Sequence, residues 1–251
     1  MDLSVFLTSQ IIGVGVIFAR IGAIFLFMPA FGEQAIPNRH KLALALLLCI
    51  ALSPAIGIGP LDLSRPVDLI AIFGLEITVG LWLGLTARIV MSAVSFAGYQ
   101  IGMVSGLANA LAPSQGAFEG ATLVASILTL AATALIFATD THHLILGAIM
   151  MSYDVFPVGQ LMPYDLADQI IRAAAMSLYL GVTLAAPFYV LQLVMNTGLG
   201  LANRLMATLP VFFVATPLLL GAGLAVMSIA LPSVIAGFLA AFTGWLGTLA
   251  F

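Results

Sequence analysis

The sequence has little charge, and this absence decides its broad class. Seven residues are Lys or Arg and ten are Asp or Glu, so 7% of the 251 residues are charged. Soluble domains usually carry about 25% charged residues. With 63% hydrophobic residues, the chain is predicted to be a membrane protein in contact with membrane lipid. The net charge of −3 gives no electrostatic reason to expect a nucleic acid as a partner.

Cysteine is nearly absent too, and known catalytic motifs are missing. The single cysteine, Cys49, lies in an apolar run, so it has no partner for an intrachain disulfide and is expected to be a small buried hydrophobe. No G-x-S-x-G, H-E-x-x-H or Walker lysine motif is present. We therefore predict that the chain is not an enzyme, with no catalytic residues and no cofactor.

The segment Asp140, His142 and His143 is the closest approach to a metal motif. Adjacent residues on a regular helix or strand point in different directions, so the two imidazoles are expected to diverge. No cysteine or further histidine joins them, whereas a tetrahedral site needs three or four protein ligands. The sequence therefore predicts no metal site.

About six hydrophobic segments predict an all-α membrane bundle of Pro- and Gly-broken helices, arranged as hairpins. A membrane crossing takes roughly 20 residues, so the third segment must bend, divide or extend beyond the bilayer, and the fourth is short for a span. No polar segment is long enough for a separate soluble domain, so residues 1–251 are interpreted as one domain. The segments are residues 11–28, 42–58, 69–104, 123–137, 173–201 and 210–251.

A short polar hinge separates the first two segments. Proline ends helices because it lacks an N–H and clashes with the preceding turn, and glycine permits a tight bend. A basic cluster between hydrophobic runs is typical of a cytoplasmic loop. An ordinary hairpin of two membrane helices would give the same spacing. The residues that define the hinge are Pro29, Phe31, Gly32, Pro37, Arg39 and Lys41.

Four charged residues lie within or beside apolar runs: Arg20, Glu76, Arg88 and Arg204. A charge at the bilayer centre costs about 3 kcal/mol by insertion scales. Each side chain either lies near a helix end and reaches the interface, or pairs with an opposite charge. We predict that Glu76 pairs with Arg88 or Arg20.

Glycines spaced by four predict close helix packing. Gly98 and Gly102 share one helix face, and Gly80 and Gly84 repeat the spacing. Small residues at this spacing let another backbone approach. The neighbour is either another helix of this chain or a helix of another subunit.

Several stretches together resemble the FliR family of flagellar biosynthetic proteins. The first stretch combines Arg20, P-x-F-G at 29–32, Ile36-Pro37, a basic pair and L-A-L-A-L before Pro54. No single motif is specific, but their order and spacing are. The later stretches are Ile101-Gly102 with Asn109 and Pro113 before Gly116; His143 with Ser152-Tyr153 and Pro157-Val158-Gly159; and Pro187, Gly200 to Arg204, Val211 to Phe213 and Pro217.

Some positions depart from the family pattern. The family often has Pro, Gln and Asn after the arginine, where this chain has Ala207, Thr208 and Pro210. A basic residue often follows the position of Pro217, where leucines stand from 218 to 220. These departures concern the detail of the C-terminal hairpin.

The resemblance implies a FliP-like part followed by a FliQ-like part in a flagellar type III export gate. FliP and FliQ homologues are the implied partners, together with FlhB and FlhA homologues and unfolded export substrates. The implied location is the bacterial inner membrane at the flagellar basal body. The homologous component of a virulence injectisome is an alternative. A secondary transporter is another, but it predicts inverted repeats, and the sequence has no convincing repeat.

In the family, the loop that matches residues 105–118 is thought to plug the pore. Small side chains suit a plug because they fill a narrow lumen and leave it again, and a closed pore must exclude water and ions. A solvent-exposed loop, or a scaffold without a pore role, is the alternative. The candidate plug residues are Ser105, Gly106, Ala108, Asn109, Ala110, Ala112, Pro113, Ser114, Gly116 and Phe118.

Overall fold

A computed structural model describes residues 3–33, 36–57, 66–107, 117–160, 163–205 and 211–248. Seven helices and no strands are found in these ranges. Five helices are long and apolar enough to cross a membrane, or six when α4 and α5, a bent pair, are taken as one span. The predicted all-α membrane class is therefore confirmed. The helices are α1 (Leu3–Phe27), α2 (Asn38–Ile56), α3 (Pro66–Val104), α4 (Ala117–Ala138), α5 (Thr141–Val155), α6 (Pro163–Leu205) and α7 (Val211–Thr248).

Prolines bound helices at the hinge but are tolerated elsewhere. Helix α1 ends at Phe27, shortly before Pro29, and α2 begins at Asn38, directly after Pro37. Four other prolines lie inside helices instead of ending them. Membrane helices tolerate such prolines because neighbouring helices and Ser or Thr side chains satisfy the freed backbone groups. These are Pro54 in α2, Pro187 in α6, and Pro217 and Pro232 in α7.

The long third hydrophobic segment is one helix. Helix α3 has 39 residues, which corresponds to about 58 Å at 1.5 Å per residue. A bilayer hydrocarbon core is about 30 Å thick. Of the three possibilities left by the sequence, division into two segments is excluded, and a straight α3 exceeds the hydrocarbon thickness.

The fourth segment is longer than its apolar run suggests. Helix α4 has 22 residues because it begins at Ala117, among small and polar residues before the apolar run. A two-residue break at Thr139 and Asp140 separates it from α5. The fourth segment is therefore a helix of 22 residues that counts as a candidate span together with α5.

The chain forms two compact units, and neither is one continuous stretch of sequence. Unit 1 comprises Met1–Val90, Ile136–Ala174 and Thr243–Phe251, and unit 2 comprises Met91–Leu135 and Ala175–Phe242. In unit 1, Ile17, Ile21 and Ile24 of α1 are fully buried. In unit 2, Phe188 and Phe238 fill the interior. The single-domain interpretation stays a prediction.

Candidate functional site

A buried ion pair joins α1 to α3 inside unit 1. Arg20 Nε donates to Glu76 Oε2 at 2.7 Å, and Arg20 Nη2 donates to Glu76 Oε1 at 3.0 Å. The side chains are 0% and 1% exposed. Two parallel hydrogen bonds between guanidinium and carboxylate fix direction as well as distance. Of the two partners considered for Glu76 from sequence, the structure has Arg20.

The same guanidinium also binds the end of α5. Arg20 Nη1 donates to the Ser152 carbonyl at 2.7 Å, and Nη2 donates to the Phe156 carbonyl at 2.8 Å. The carbonyl end of a helix carries a partial negative charge, so a cation there is favourable. The Arg20 Cζ atom also lies 4.0 Å from the centre of the Tyr153 ring. One side chain therefore holds together α1, α3 and the end of α5.

Glu76 accepts a further hydrogen bond from the turn that follows α5. The backbone N–H of Gly159 donates to Glu76 Oε1 at 3.2 Å. Gly159 has φ of +82°, a left-handed conformation that glycine adopts easily. Because both charges are fully hydrogen-bonded, their burial is compensated.

Two glycines of α3 bring the helices close enough for this pair. A Cβ at Gly80 would lie 2.8 Å from the Ala23 Cβ. A Cβ at Gly84 would lie 2.8 Å from the Ile24 carbonyl oxygen. Both distances are too short for a real side chain, so these glycines pack α3 against α1 within the chain.

The hinge has a defined shape between α1 and α2. Pro29 is buried, and Gly32 N donates to the Met28 carbonyl at 2.6 Å. The Lys41 ammonium, 9% exposed, donates to the Gly32 carbonyl at 3.0 Å. Phe31 contacts Phe25 and Phe137, with ring centroids 4.9 and 5.7 Å apart. The basic hinge residue Lys41 therefore has a structural contact.

Two further hinge residues are on the surface, whereas Gly32 is buried. Pro37 and Arg39 are both exposed. Gly32 is required by sterics, because a Cβ there would lie 2.9 Å from the Leu26 and Met28 carbonyl oxygens. The two basic hinge residues therefore differ, since Lys41 is buried and Arg39 is exposed.

The remaining arginines named from sequence have different surroundings. Arg88 Nη1 lies 3.0 Å from Glu33 Oε1, with side chains 40% and 22% exposed. Arg204 is exposed in the last turn of α6, where a cation interacts favourably with the helix dipole. The structure thus separates one buried arginine from two accessible ones.

The beginning of the candidate plug loop is held in unit 2. Ser105 is buried, and its Oγ donates to the Ile101 carbonyl at 2.5 Å. A Cβ at Gly223 of α7 would lie 2.8 Å from the Ser105 carbonyl oxygen. Gly106 has φ of +74°. The chain therefore leaves α3 at a tightly packed left-handed turn.

Most of the candidate plug lies outside the described residues. This holds for Ala108, Asn109, Ala110, Ala112, Pro113, Ser114 and Gly116. Phe118 belongs to the first turn of α4. The plug assignment stays a prediction.

The glycine face of α3 contacts α4 within unit 2. A Cβ at Gly98 would lie 2.5 Å from the Ala125 Cα. Gly102, one turn further along, is buried. Ser95 Oγ and Thr129 Oγ1 are hydrogen-bonded at 3.0 Å across the same pair of helices. Gly98 thus takes part in close packing within the chain.

The histidines at the start of α5 lie side by side. The His142 and His143 ring centroids are 4.1 Å apart, at an interplanar angle of 36°. One potential ligand atom each from Asp140, His142 and His143 lies within 4.8 Å of the others. The expectation that the two rings diverge is wrong, because side-chain torsions turn both imidazoles to the same side.

Several partners of the charged residues could not be identified from the sequence. The acceptors for Arg20 at Ser152 and Phe156 are backbone carbonyls, which leave no residue-type signal. Glu33, the partner of Arg88, is separated from it by 55 residues. The only sequence signal was the turn at 157–159, which places Gly159 beside Glu76.

Comparison with known proteins gives a consistent result. Residues 11–244 match the family model described as bacterial export proteins, family 1. The flagellar biosynthetic protein FliR of Caulobacter vibrioides is 36% identical over 231 residues, 90% of each chain. FliR of Escherichia coli is 26% identical over 219 residues, 85% of this chain and 82% of that one. The Yop proteins translocation protein T of Yersinia pestis is 26% identical over 212 residues, 79% and 78% of the two chains.

Proposed function

The chain belongs to the family of bacterial export proteins that includes FliR, and from this membership we propose that it is a component of the flagellar type III export gate. It is a multi-pass membrane protein by its helices and family. The proposed location is the bacterial inner membrane, at the flagellar basal body. The observation that carries the proposal is the 36% identity to the Caulobacter FliR over 90% of both chains.

In this proposal the chain forms, with FliP and FliQ homologues, the channel through which unfolded flagellar subunits leave the cell. FlhB and FlhA homologues are further proposed neighbours. The length of α3 supports a role in an assembly, because 39 helical residues exceed one bilayer crossing. Helical segments outside the hydrocarbon need other protein or water around them. Subunits of one gate would supply that protein surface.

In such a component, the buried ion pair would hold the helices that it joins in fixed positions. Arg20 and Glu76 tie three chain segments through bonds to α1, α3 and the end of α5. A charge pair with every group hydrogen-bonded resists sliding, because a shift of one turn would leave both charges unpaired. In a channel component, some helices must keep their relative positions while the channel opens. We propose that unit 1 has this role.

The loop at residues 105–118 is the proposed plug. Its stem supports this assignment, because Ser105 is anchored against Gly223 while Gly106 turns the chain in a left-handed conformation. A loop that leaves a helix from an anchored stem can move without unwinding that helix. Small residues beyond the stem would enter and leave a narrow lumen.

Deleting residues 108–115 tests the plug. In cells that also produce the neighbouring gate proteins, the deletion is expected to admit a membrane-impermeant dye. The matched control is Gly221→Ala, since a Cβ there meets nothing within 4 Å. Dye entry that stays at the control level in the deletion variant would remove the plug from the proposal.

The injectisome alternative rests on one finding. The Yersinia translocation protein T matches this chain at 26% identity, the same value as the Escherichia coli FliR. The higher identity to the Caulobacter FliR favours the flagellar machine. The proposed mechanism is the same in both machines.

Co-purification tests the proposed function. The tagged chain would be produced with its neighbouring membrane proteins, extracted in mild detergent, and analysed by mass spectrometry. Recovery of FliP and FliQ homologues is the expected result. Recovery of injectisome counterparts would support an export gate that belongs to an injectisome instead of a flagellum. A chain that runs alone as a monomer or dimer would contradict the gate and favour a secondary transporter.

A further inference from the structure

The turn between α4 and α5 holds a cluster of metal-ligating side chains with no role in the proposed export function. Asp140, His142 and His143 each present one ligand atom within 4.8 Å of the other two. We propose that these residues bind one divalent transition-metal ion, of the class of Zn²⁺, through a carboxylate oxygen and one nitrogen of each imidazole. This departs from the sequence-based prediction, which assumed that the adjacent rings diverge.

The required movement is small. Zinc–ligand bonds of 2.0–2.2 Å place tetrahedral ligand atoms about 3.4 Å apart. The present spacing of up to 4.8 Å must therefore shrink by somewhat more than an ångström. The Asp140 and His143 side chains are 81% and 68% exposed, so rotation about their side-chain bonds meets little obstruction. Their closest contact, Asp140 Oδ1 to His143 Nδ1, is already 3.8 Å.

The backbone at Asp140 supports a ligand role for its side chain. Asp140 has φ of 57° and ψ of 12°, a left-handed conformation that is unusual for a residue other than glycine. It stands at the N-cap of α5, where an aspartate side chain normally accepts a backbone N–H. Here it makes no side-chain cap hydrogen bond. The carboxylate is therefore not used in capping the helix and is available to a cation.

His142 gives a second, independent observation. In the part of the chain that the structure describes, His142 Nδ1 is buried and has no hydrogen-bond partner. The imidazole packs against Phe137 with ring centroids 5.5 Å apart. A buried nitrogen without a partner costs about 1–3 kcal/mol. A bound cation would supply the missing partner to this ring.

The donor set selects the class of ion. Two imidazoles suit Zn²⁺, Cu²⁺, Ni²⁺ and Fe²⁺, whereas Ca²⁺ and Mg²⁺ prefer oxygen ligands. Three protein ligands leave at least one position for water. Such an ion would cross-link the last residue before α5 to its first turn. It would thereby hold the break between α4 and α5 in one conformation.

Metal binding by the full-length chain tests the proposal. The protein would be purified in mild detergent with an affinity tag that contains no histidine, and titrated with Zn²⁺ by calorimetry. Co²⁺ absorption would report nitrogen ligation. His40→Gln is the matched control, because His40 is the one histidine of the sequence outside the cluster. Asp140→Asn keeps a residue that tolerates the left-handed conformation and removes the carboxylate charge.

Wild type and His40→Gln are expected to bind one Zn²⁺ per chain. His142→Gln and His143→Gln should weaken binding on the order of tenfold or more, and Asp140→Asn by a similar factor. Asp140 and His143 are exposed, so their variants should fold even if His142→Gln does not. No binding by wild type, or equal binding by wild type and the Asp140 and His143 variants, would overturn the proposal.

Discussion

The interactions that stabilise the interior of unit 1 differ from those inside unit 2. The chain has seventeen charged residues, seven basic and ten acidic, and all but Glu119 and Arg204 belong to unit 1. Unit 1 contains the fully buried Arg20–Glu76 pair. In unit 2 the described interhelical contacts include glycine against backbone at Gly98 and hydroxyl against hydroxyl at Ser92 and Ser177. Both units contain close glycine contacts, at Gly80 in unit 1 and at Gly98 in unit 2, but among the described residues only unit 1 adds a buried charge pair.

This difference has an energetic consequence. Removing one member of a buried charge pair leaves the other charge unpaired at a cost of several kcal/mol. Interhelical hydroxyl hydrogen bonds in membranes are worth about 0.6 kcal/mol each. Unit 1 is therefore expected to fail at single positions, whereas unit 2 should lose stability in small steps.

The largest expected effect is at the buried pair. Arg20→Ala leaves the Glu76 carboxylate buried without its cation, and should cost about 3–5 kcal/mol of unfolding free energy. Unfolding in mixed detergent micelles would measure this. Arg204→Ala is the control, since Arg204 is exposed. Equal stability of the two variants would contradict the distinction between the units.

A smaller effect is expected at the hinge. Lys41→Met removes the ammonium that donates to the Gly32 carbonyl, and should cost about 1.5–3 kcal/mol. Limited proteolysis would show earlier cleavage between α1 and α2. The exposed Arg39, changed to Met, gives the same loss of charge without a lost contact. If both variants were cleaved at the same rate, the Lys41 hydrogen bond would not stabilise the hinge.

In unit 2 the comparable test is to add a methyl group where two helices pack closely. Gly98→Ala places a Cβ 2.5 Å from the Ala125 Cα, so α3 and α4 must separate, at about 1–3 kcal/mol. Gly221→Ala meets open space and should be neutral or slightly stabilising, since alanine favours a helix. Unfolding of the two variants side by side is the measurement. A tolerated Gly98→Ala would mean that unit 2 does not depend on close approach.

The smallest effect should come from a single hydroxyl. Thr129→Val removes the hydrogen bond to Ser95 across α3 and α4, and should cost about 0.6 kcal/mol. Ser126→Ala, whose hydroxyl bonds within its own helix, is the control. A loss of several kcal/mol at Thr129 would show that unit 2 also depends on single polar contacts.

The fold class and the helical segments could be predicted because lipid leaves so few choices. Long apolar runs with little charge specify membrane helices almost unaided. The hinge was predictable from Pro29 and Pro37, which mark the end of α1 and the start of α2. The same rule did not separate these from Pro187 or Pro217, which lie inside helices. Neighbouring helices that satisfy the freed backbone groups are not visible along the sequence.

The site was only partly predictable. The cost of burying Glu76 implies a partner, but sequence alone did not choose between Arg20 and Arg88. The choice depends on Gly80, which lets α3 approach α1 beside Arg20. The close approach of the two histidine rings depends on side-chain torsions, which the spacing of residues in sequence does not determine.

Secretion of flagellar filament protein is the decisive measurement of the proposed export role. The gene would be deleted from its source bacterium, and flagellar filament protein in the culture medium would be measured by immunoblotting. Secretion is expected to stop in the deletion strain, and the wild-type gene is expected to restore it. Undiminished secretion of filament protein in the deletion strain would contradict a role for this chain in the flagellar export gate.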